Sequence, residues 1–199
     1  MKETYLSRDL RRTVEKNFPA QSKKLNTAFD ARLQALWKEN AGAGRAKKEH
    51  LKRQILPAIA AYETLQTVMS KEEALQTVHG YVEQLAGTTH KYLAAILRVP
   101  GLYRLVPSVF VKSTRSVFEP AAGFAAEELQ TGNGIWRVDM TRCPYHDTCT
   151  EYGCPELCRC FCDSDDISYG GLHPKLIWQR TMTLGRGDDR CDFCMKVEK

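Results

Sequence analysis

Apolar residues recur at steps of three and four through the first 130 positions and at steps of two after Gly134. The first period belongs to helices and the second to strands. Residues 5–17 read as a short helix with Ser7 as its N-cap. Residues 20–40 continue helically, with Leu25, Phe29, Leu33, Leu36 and Trp37 on one stripe. AGAG at 41–44 breaks the pattern. A third helix runs from Lys47 and turns Leu51, Ile55, Ile59 and Tyr62 inward. Pro57 predicts a kink near Ile55–Leu56, because proline lacks the N–H of a helical bond.

Ser70 followed by Glu73 is a capping box, so a helix should start at Lys71. It carries Leu75, Val78, Val82 and Leu85 and should stop at Gly87. Thr88 or Thr89 would then cap another helix from Lys91 to Val99, closed by Pro100-Gly101. An apolar stretch follows, interrupted at Pro107. Residues Ala121–Gln130 read as helix, ended by TGNG.

Beyond Gly134, IWRVDMTR places Trp136, Val138 and Met140 on one face of a half-buried strand. LIWQRTMTL at 176–184 and CDFCMKV at 191–197 read as two more strands, paired as a hairpin across GRGDDR. The cysteine segment between them is predicted helical around Pro155, at a first helical position. The expected fold is α+β in a single domain over residues 1–199. A helical part, 1–130, precedes a small antiparallel sheet, 131–199, with a Cys-rich helical insertion.

Charge divides along the same line. Residues 1–130 carry 20 Lys and Arg against 13 Asp and Glu, and residues 131–199 carry 9 against 11. The excess cations alternate with apolar helical positions and form no clustered basic stripe with interleaved aromatics. They read as a solvated helix surface rather than a nucleic-acid footprint. No apolar run approaches the roughly 18–20 residues of a membrane span. The N-terminus lacks the apolar core of a secretory signal. The expectation is a cytoplasmic protein, with no nucleic-acid or membrane partner, and a homo-oligomer is compatible with the sequence. In a reducing compartment dense cysteines point to catalysis or metal binding before disulfides.

All eight cysteines lie after residue 142, six of them between Cys143 and Cys162. A helix from Pro155 puts Cys158 and Cys162 on one face at i, i+4, with Cys160 pointing elsewhere. Tyr145 and His146 precede this helix, and Asp163, Asp165 and Asp166 follow. Three readings compete. A structural zinc or iron–sulfur site has only Cys191-x-x-Cys194 at a standard spacing. Nucleophilic catalysis would use Cys158 or Cys162 as a thiolate, with His146, Asp163 or Asp166 moving protons. Packing in the core suits Cys149 and Cys160. His50, His79 and His90 stand alone, with no acidic or cysteine neighbour at ligand spacing, and read as surface or satisfied core residues.

The runs VDMTRCPY, GCPELCRCFCDSDD, WQRTMTL and GDDRCDF, in that order, resemble the L-2-amino-thiazoline-4-carboxylic acid hydrolase family. LKRQILPAIAAYETL and EEAL resemble its helical half more weakly. The resemblance implies a hydrolase that adds water to the carbon between ring nitrogen and sulfur and breaks the carbon–sulfur bond, giving N-carbamoyl-cysteine. The substrate is then a small molecule, and no cofactor is called for, although a structural or catalytic metal stays open. Positions matching the family include Asp139, Cys143, Tyr145, Glu156, Cys158, Cys162, Asp163, Asp166, Arg180, Thr181, Cys191 and Phe193. Among the matched and nearby residues, the chemistry suggests Cys158 or Cys162 as nucleophile, or a carboxylate activating water without a covalent intermediate. Glu156 or Asp163 would protonate the ring nitrogen, and His146 or Tyr145 the leaving thiolate. Arg180 would hold the substrate carboxylate, with Asp139, Thr181 and Asp166 beside it, unless Arg180 pairs with Asp139 across the sheet. Cys149, Cys160 and Cys194 lie beyond the family motif. The alternative is a Cys-rich zinc or iron–sulfur module without turnover.

Overall fold

The computed structural model describes residues 3–198 and has the expected α+β order. The helical half comprises α1 (Tyr5–Asn17), α2 (Ser22–Glu39), α3 (Arg45–His50), α4 (Leu56–Leu65) and α5 (Lys71–Ile96). Helix α4 is its axis. Every residue in it except Glu63 is buried, as expected for a helix apolar on all sides. The stripes of α1, α2 and α5 close on it through Leu6, Leu10, Phe29, Leu36 and Val78.

Between α3 and α4, Leu51–Ile55 form a π-helical turn in which the Leu56 N–H reaches the Leu51 carbonyl. Pro57, in the first turn of α4, is the physical cause. Its ring crowds the carbonyl four residues back and offers no N–H, so the preceding turn widens. The α1 cap is Thr4, whose side chain accepts the Ser7 N–H; Ser7 itself lies inside the helix and is buried.

Helix α5 is one element of 26 residues opened by the Ser70–Glu73 capping box. It does not stop at Gly87. Thr88 and Thr89 bond back to the carbonyls of Gln84 and Leu85. Hydroxyls that read as caps are thereby satisfied within the helix.

After α6 (Val106–Val117) come β1 (Ala125–Gly132) and β2 (Ile135–Arg142). The expected helix over Ala121–Gln130 is instead an edge strand, exposed along its length. Asn133 and Gly134 both have positive φ between the strands, the signature of a two-residue hairpin turn. Then come α7 (Pro144–Glu151), α8 (Cys158–Tyr169), β3 (Leu176–Gln179) and β4 (Cys191–Val197). The sheet is antiparallel throughout in the order β1-β2-β4-β3. The strand expected over 176–184 ends at Gln179, because the Asp192 carboxylate takes the N–H groups of Thr181 and Met182.

A second hydrophobic cluster covers one face of the sheet and includes Trp136, Val138, Met140, Phe193 and Met195. Tyr145 packs against both clusters. Among the described residues, no helix is long and apolar enough to cross a membrane.

Candidate active site

Where the clusters meet lies a cavity of about 460 Å³. Helix α8 forms its floor. Pro155 opens a single 3-10 turn and α8 begins at Cys158, so Cys158, Cys162 and Asp165 fall at steps of four and three and all line the cavity. Cys143, from the end of β2, and Cys191, from the start of β4, line it as well. Cys160 points away into the first cluster beside Cys149 and Cys154.

The two α8 thiols are neighbours that move each other's pKa in opposite directions. The Cys158 thiol is pushed up, first by its bond to Cys162 and then by burial. Cys162 moves the other way. The Cys158 bond lowers its pKa, and so do the Arg180 charge and the Gly185 backbone N–H; together they outweigh burial and the nearby Asp165. Of the two thiols, Cys162 is therefore the readier to ionise. Glycine at position 185 makes the close approach of its N–H possible, since a Cβ there would stand 2.8 Å from the Cys162 sulfur. Burial raises Cys143 to about 12 and Cys191 to about 11, so these two stay neutral.

Arg180 is the fixed cation. Its side chain is 1 % exposed and donates to the Cys162 carbonyl at 2.6 Å, to Asp166 at 2.6 Å and to Asp165 at 3.4 Å. It also lies over the Phe193 ring, 5.4 Å from its centre. Asp165 keeps 38 % of its side-chain surface, and the residue lines the cavity. Loss of hydration raises its carboxyl to about 7. Arg180 acts against that rise and Asp166 adds to it. Asp166 itself is tied to Arg180 and to the Trp178 indole N–H at 2.8 Å.

The far wall brings His50 and Gln54 to Tyr145. The Tyr145 hydroxyl donates to Gln54 Oε1 at 3.1 Å and meets His50 Nδ1 at 3.1 Å. Burial lowers the His50 pKa, against a rise from the Val117 carbonyl, so the ring is neutral near pH 7. Burial likewise raises the Tyr145 phenol. His50 was set aside in the sequence as isolated, because its partner lies 95 positions away.

Of the candidates read from the sequence, Cys158, Cys162, Tyr145 and Arg180 line the cavity and the others do not. Glu156 accepts from Tyr62 at 2.7 Å and pairs with Lys71 at 2.8 Å. Asp163 joins Arg186 at 3.0 Å and His79 at 3.3 Å. His146 sits 3.8 Å from Asp147. Asp139 pairs with Arg190 at 3.1 Å, not with Arg180. Thr181 is held by Asp192 at 2.6 Å. Asp166 acts from behind Arg180. Asp165 is named in the sequence only as following the helix and His50 only as isolated, and Gln54 carries no signal there. Asp165 could have been found, since it lies three residues past Cys162 on the same helical face.

Cys191 and Cys194 fall on opposite faces of β4, Cys191 buried and Cys194 half-buried, so the one C-x-x-C of the chain does not converge. Among the described residues, no group of three or more His, Cys, Asp or Glu side chains is arranged to hold a metal ion.

The cavity thus gathers two neighbouring thiols, a carboxyl of near-neutral pKa and a buried guanidinium. The model of the L-2-amino-thiazoline-4-carboxylic acid hydrolase family matches residues 48–195. The chain belongs to that family, whose name denotes hydrolase activity. No curated protein and no solved structure matches it.

Proposed function

We propose that the chain opens cyclic amidines of the 2-amino-thiazoline-4-carboxylate type by hydrolysis, with Cys162 as nucleophile and Asp165 as proton carrier. The observation that carries this reading is that Cys162, Cys158, Asp165 and Arg180 line one cavity, with Cys162 one helical turn from Asp165; the Arg180 charge and the neighbouring Cys158 lower the Cys162 pKa. The thiolate adds to the amidine carbon while protonated Asp165 gives its proton to the ring nitrogen. The ring carbon–sulfur bond then breaks, leaving an isothiouronium on Cys162 and a free thiolate on the substrate. Water adds to the same carbon and passes a proton to Asp165. The Cys162–carbon bond breaks as the carbonyl forms, and the carbonyl proton ends on the substrate thiolate. One water is consumed, N-carbamoyl-cysteine leaves, and both protein groups return to their starting states.

A carboxyl at about 7 suits both proton transfers, because each form is populated at neutral pH. The remaining N–H groups of Arg180 and the Gln54 amide N–H groups are the donors at hand for the substrate carboxylate. The test is incubation with 2-amino-thiazoline-4-carboxylate, following thiol release and the urea product by mass spectrometry. Wild type should turn over, and acid quenching should trap the adduct on the Cys162 peptide. Cys162→Ala should lose at least about a thousandfold in kcat. Absence of product, or undiminished product from Cys162→Ala, overturns the reading.

A further inference from the structure

The cavity is larger and more apolar than a small polar ring acid requires. 2-Amino-thiazoline-4-carboxylate has nine non-hydrogen atoms. A space of about 460 Å³ lies within the range that holds drug-sized ligands, roughly 300–1,000 Å³. The polar groups that could handle the amidine are Cys158, Cys162, Asp165, Arg180 and the Tyr145–Gln54–His50 group. Apart from Tyr5 and a few Ser and Thr residues, the rest of the lining is mostly apolar, led by Phe110, Trp136, Tyr169, Trp178 and Phe193. These rings pack edge-on or tilted against one another, with Trp136 and Trp178 stacked. The two indole N–H groups are already used: that of Trp136 donates to Thr114 and that of Trp178 to Asp166. What these indoles and the two Phe rings present to the cavity is hydrocarbon.

The apolar lining also continues to the surface. On α6, Val109, Ser113 and Val117 fall at i, i+4 and i+8 and line the cavity, and all three are exposed. Leu85 and Thr89 on α5 also line it at i, i+4, Leu85 exposed and Thr89 half-buried. Leu85, Val109 and Val117 keep 38 %, 57 % and 42 % of their surface. A mouth bordered by aliphatic side chains between α5 and α6 therefore leads from solvent to the thiol pair. A substrate that is polar throughout gains nothing from such walls, whereas an apolar group gains about 25 cal/mol for each Å² it removes from water.

Resting on the hydrolase reading, we infer that the substrate is a cyclic amidine acid bearing an apolar substituent. Its amidine head lies at Cys162 and its hydrocarbon body occupies the aromatic chamber and the mouth between α5 and α6. The parent thiazoline acid is then a minimal substrate that fills only the polar end.

Equilibrium binding to the Cys162→Ala chain, which under the proposed reaction does not consume the ligands, tests this by calorimetry with three compounds. They are 2-amino-thiazoline-4-carboxylate and its derivatives with n-hexyl or with benzyl on the exocyclic nitrogen. Turnover of each is followed separately with the wild-type chain. The expected result is at least tenfold tighter binding of one or both derivatives, with a more negative heat-capacity change. Preference for hexyl identifies an alkyl body, and preference for benzyl an aryl one. Thr89→Trp, which fills the mouth from a half-buried position, should shrink the difference between derivative and parent at least fivefold. Tighter derivative binding without turnover of any compound supports the inference and refutes the hydrolase reading. Turnover of the parent with derivatives binding no better overturns the inference and leaves the hydrolase reading standing. A derivative advantage untouched by Thr89→Trp also overturns it, since the apolar body would then lie elsewhere.

Discussion

Replacing Gly185 by alanine is the sharpest probe of the thiol pair. The added Cβ would lie 2.8 Å from the Cys162 sulfur, 3.3 Å from the Arg159 nitrogen and 3.4 Å from its Cα. Ordinary carbon contacts begin near about 3.5 Å, so at least about 0.7 Å must be recovered. The Arg159 atoms are backbone in the first turn of α8 and yield little. Either the 184–186 turn backs away or Cys162 rotates, and both break the N–H···S contact.

Overpacking of this kind costs about 1–3 kcal/mol. For a domain of this size that lowers Tm by roughly 2–12 °C. Losing one of the groups that depress the thiol should raise its pKa. The pH midpoint of Cys162 alkylation should rise accordingly, and at pH values below that midpoint each unit of rise slows alkylation about tenfold. Thermal melts and iodoacetamide time courses with peptide mass mapping, from pH 6 to 9, read both effects. Cys162→Ala makes room for the new methyl. On that background Gly185→Ala should cost less than about 0.5 kcal/mol, a coupling visible in a double-mutant cycle. A wild-type alkylation profile in Gly185→Ala, or an equal cost on both backgrounds, would refute the reasoning.

Four further outcomes are expected. In wild type, iodoacetamide at pH 7 should label Cys162 well before Cys143 or Cys191, as read by peptide mapping, because burial holds those two at about 12 and about 11. Asp165 has a folded pKa, about 7, above its ordinary value of 3.8. The folded state therefore binds the extra proton between them, and stability is lost as pH rises through that window. Melting temperatures of Asp165→Asn minus wild type should accordingly rise from pH 4 to pH 7, and a flat or falling difference contradicts the shift. Arg180→Lys should raise the pH midpoint of Cys162 alkylation and weaken the tie between α8 and β3, since an ammonium cannot span Asp166 and the Cys162 carbonyl as the guanidinium does. Tyr62→Phe strips Glu156 of a buried donor and should cost about 1–2 kcal/mol in denaturant melts while kcat/KM stays within twofold.

Elements with a strong local code were readable. The Ser70–Glu73 capping box, the proline-disturbed turn before α4 and the alternation of Trp136, Val138 and Met140 each needed only neighbouring residues. The errors have local causes too. Ala121–Gln130 is rich in helix formers, yet Asn133-Gly134 folds it back onto β2, and pairing outweighs propensity. Gly87-Thr88-Thr89 resembles a stop, but Val82 and Ala86 before it are buried and Leu93 and Ala94 after it pack against the second cluster, which holds the helix continuous. In the site, the i, i+4 placement of Cys158 and Cys162 followed from helical geometry alone. The meeting of His50 with Tyr145, or of Arg180 with Asp165 and Asp166, depends on how separate elements pack. Neither spacing nor composition encodes that directly. Glu156 and Asp163 had the right chemistry and neighbours in sequence, but the helix turns them away from the cavity.

The π-turn at Leu51–Ile55 is, in hydrogen-bond terms, one residue more than an α-helix would hold. The surplus lies among Lys52 and Arg53, which are exposed, while Leu51 and Ile55 on either side are buried. A chain shortened by either surface residue could run straight from α3 into α4 with its core contacts intact downstream. Everything upstream would then turn by about 100° about the helix axis. His50 would leave Tyr145, and the cavity would lose one polar partner without any change to a residue that lines it. The register of one cavity wall is thus held by the length of the chain rather than by the identity of any side chain. A single-codon deletion on the outer surface is the smallest genetic step that would rebuild the site.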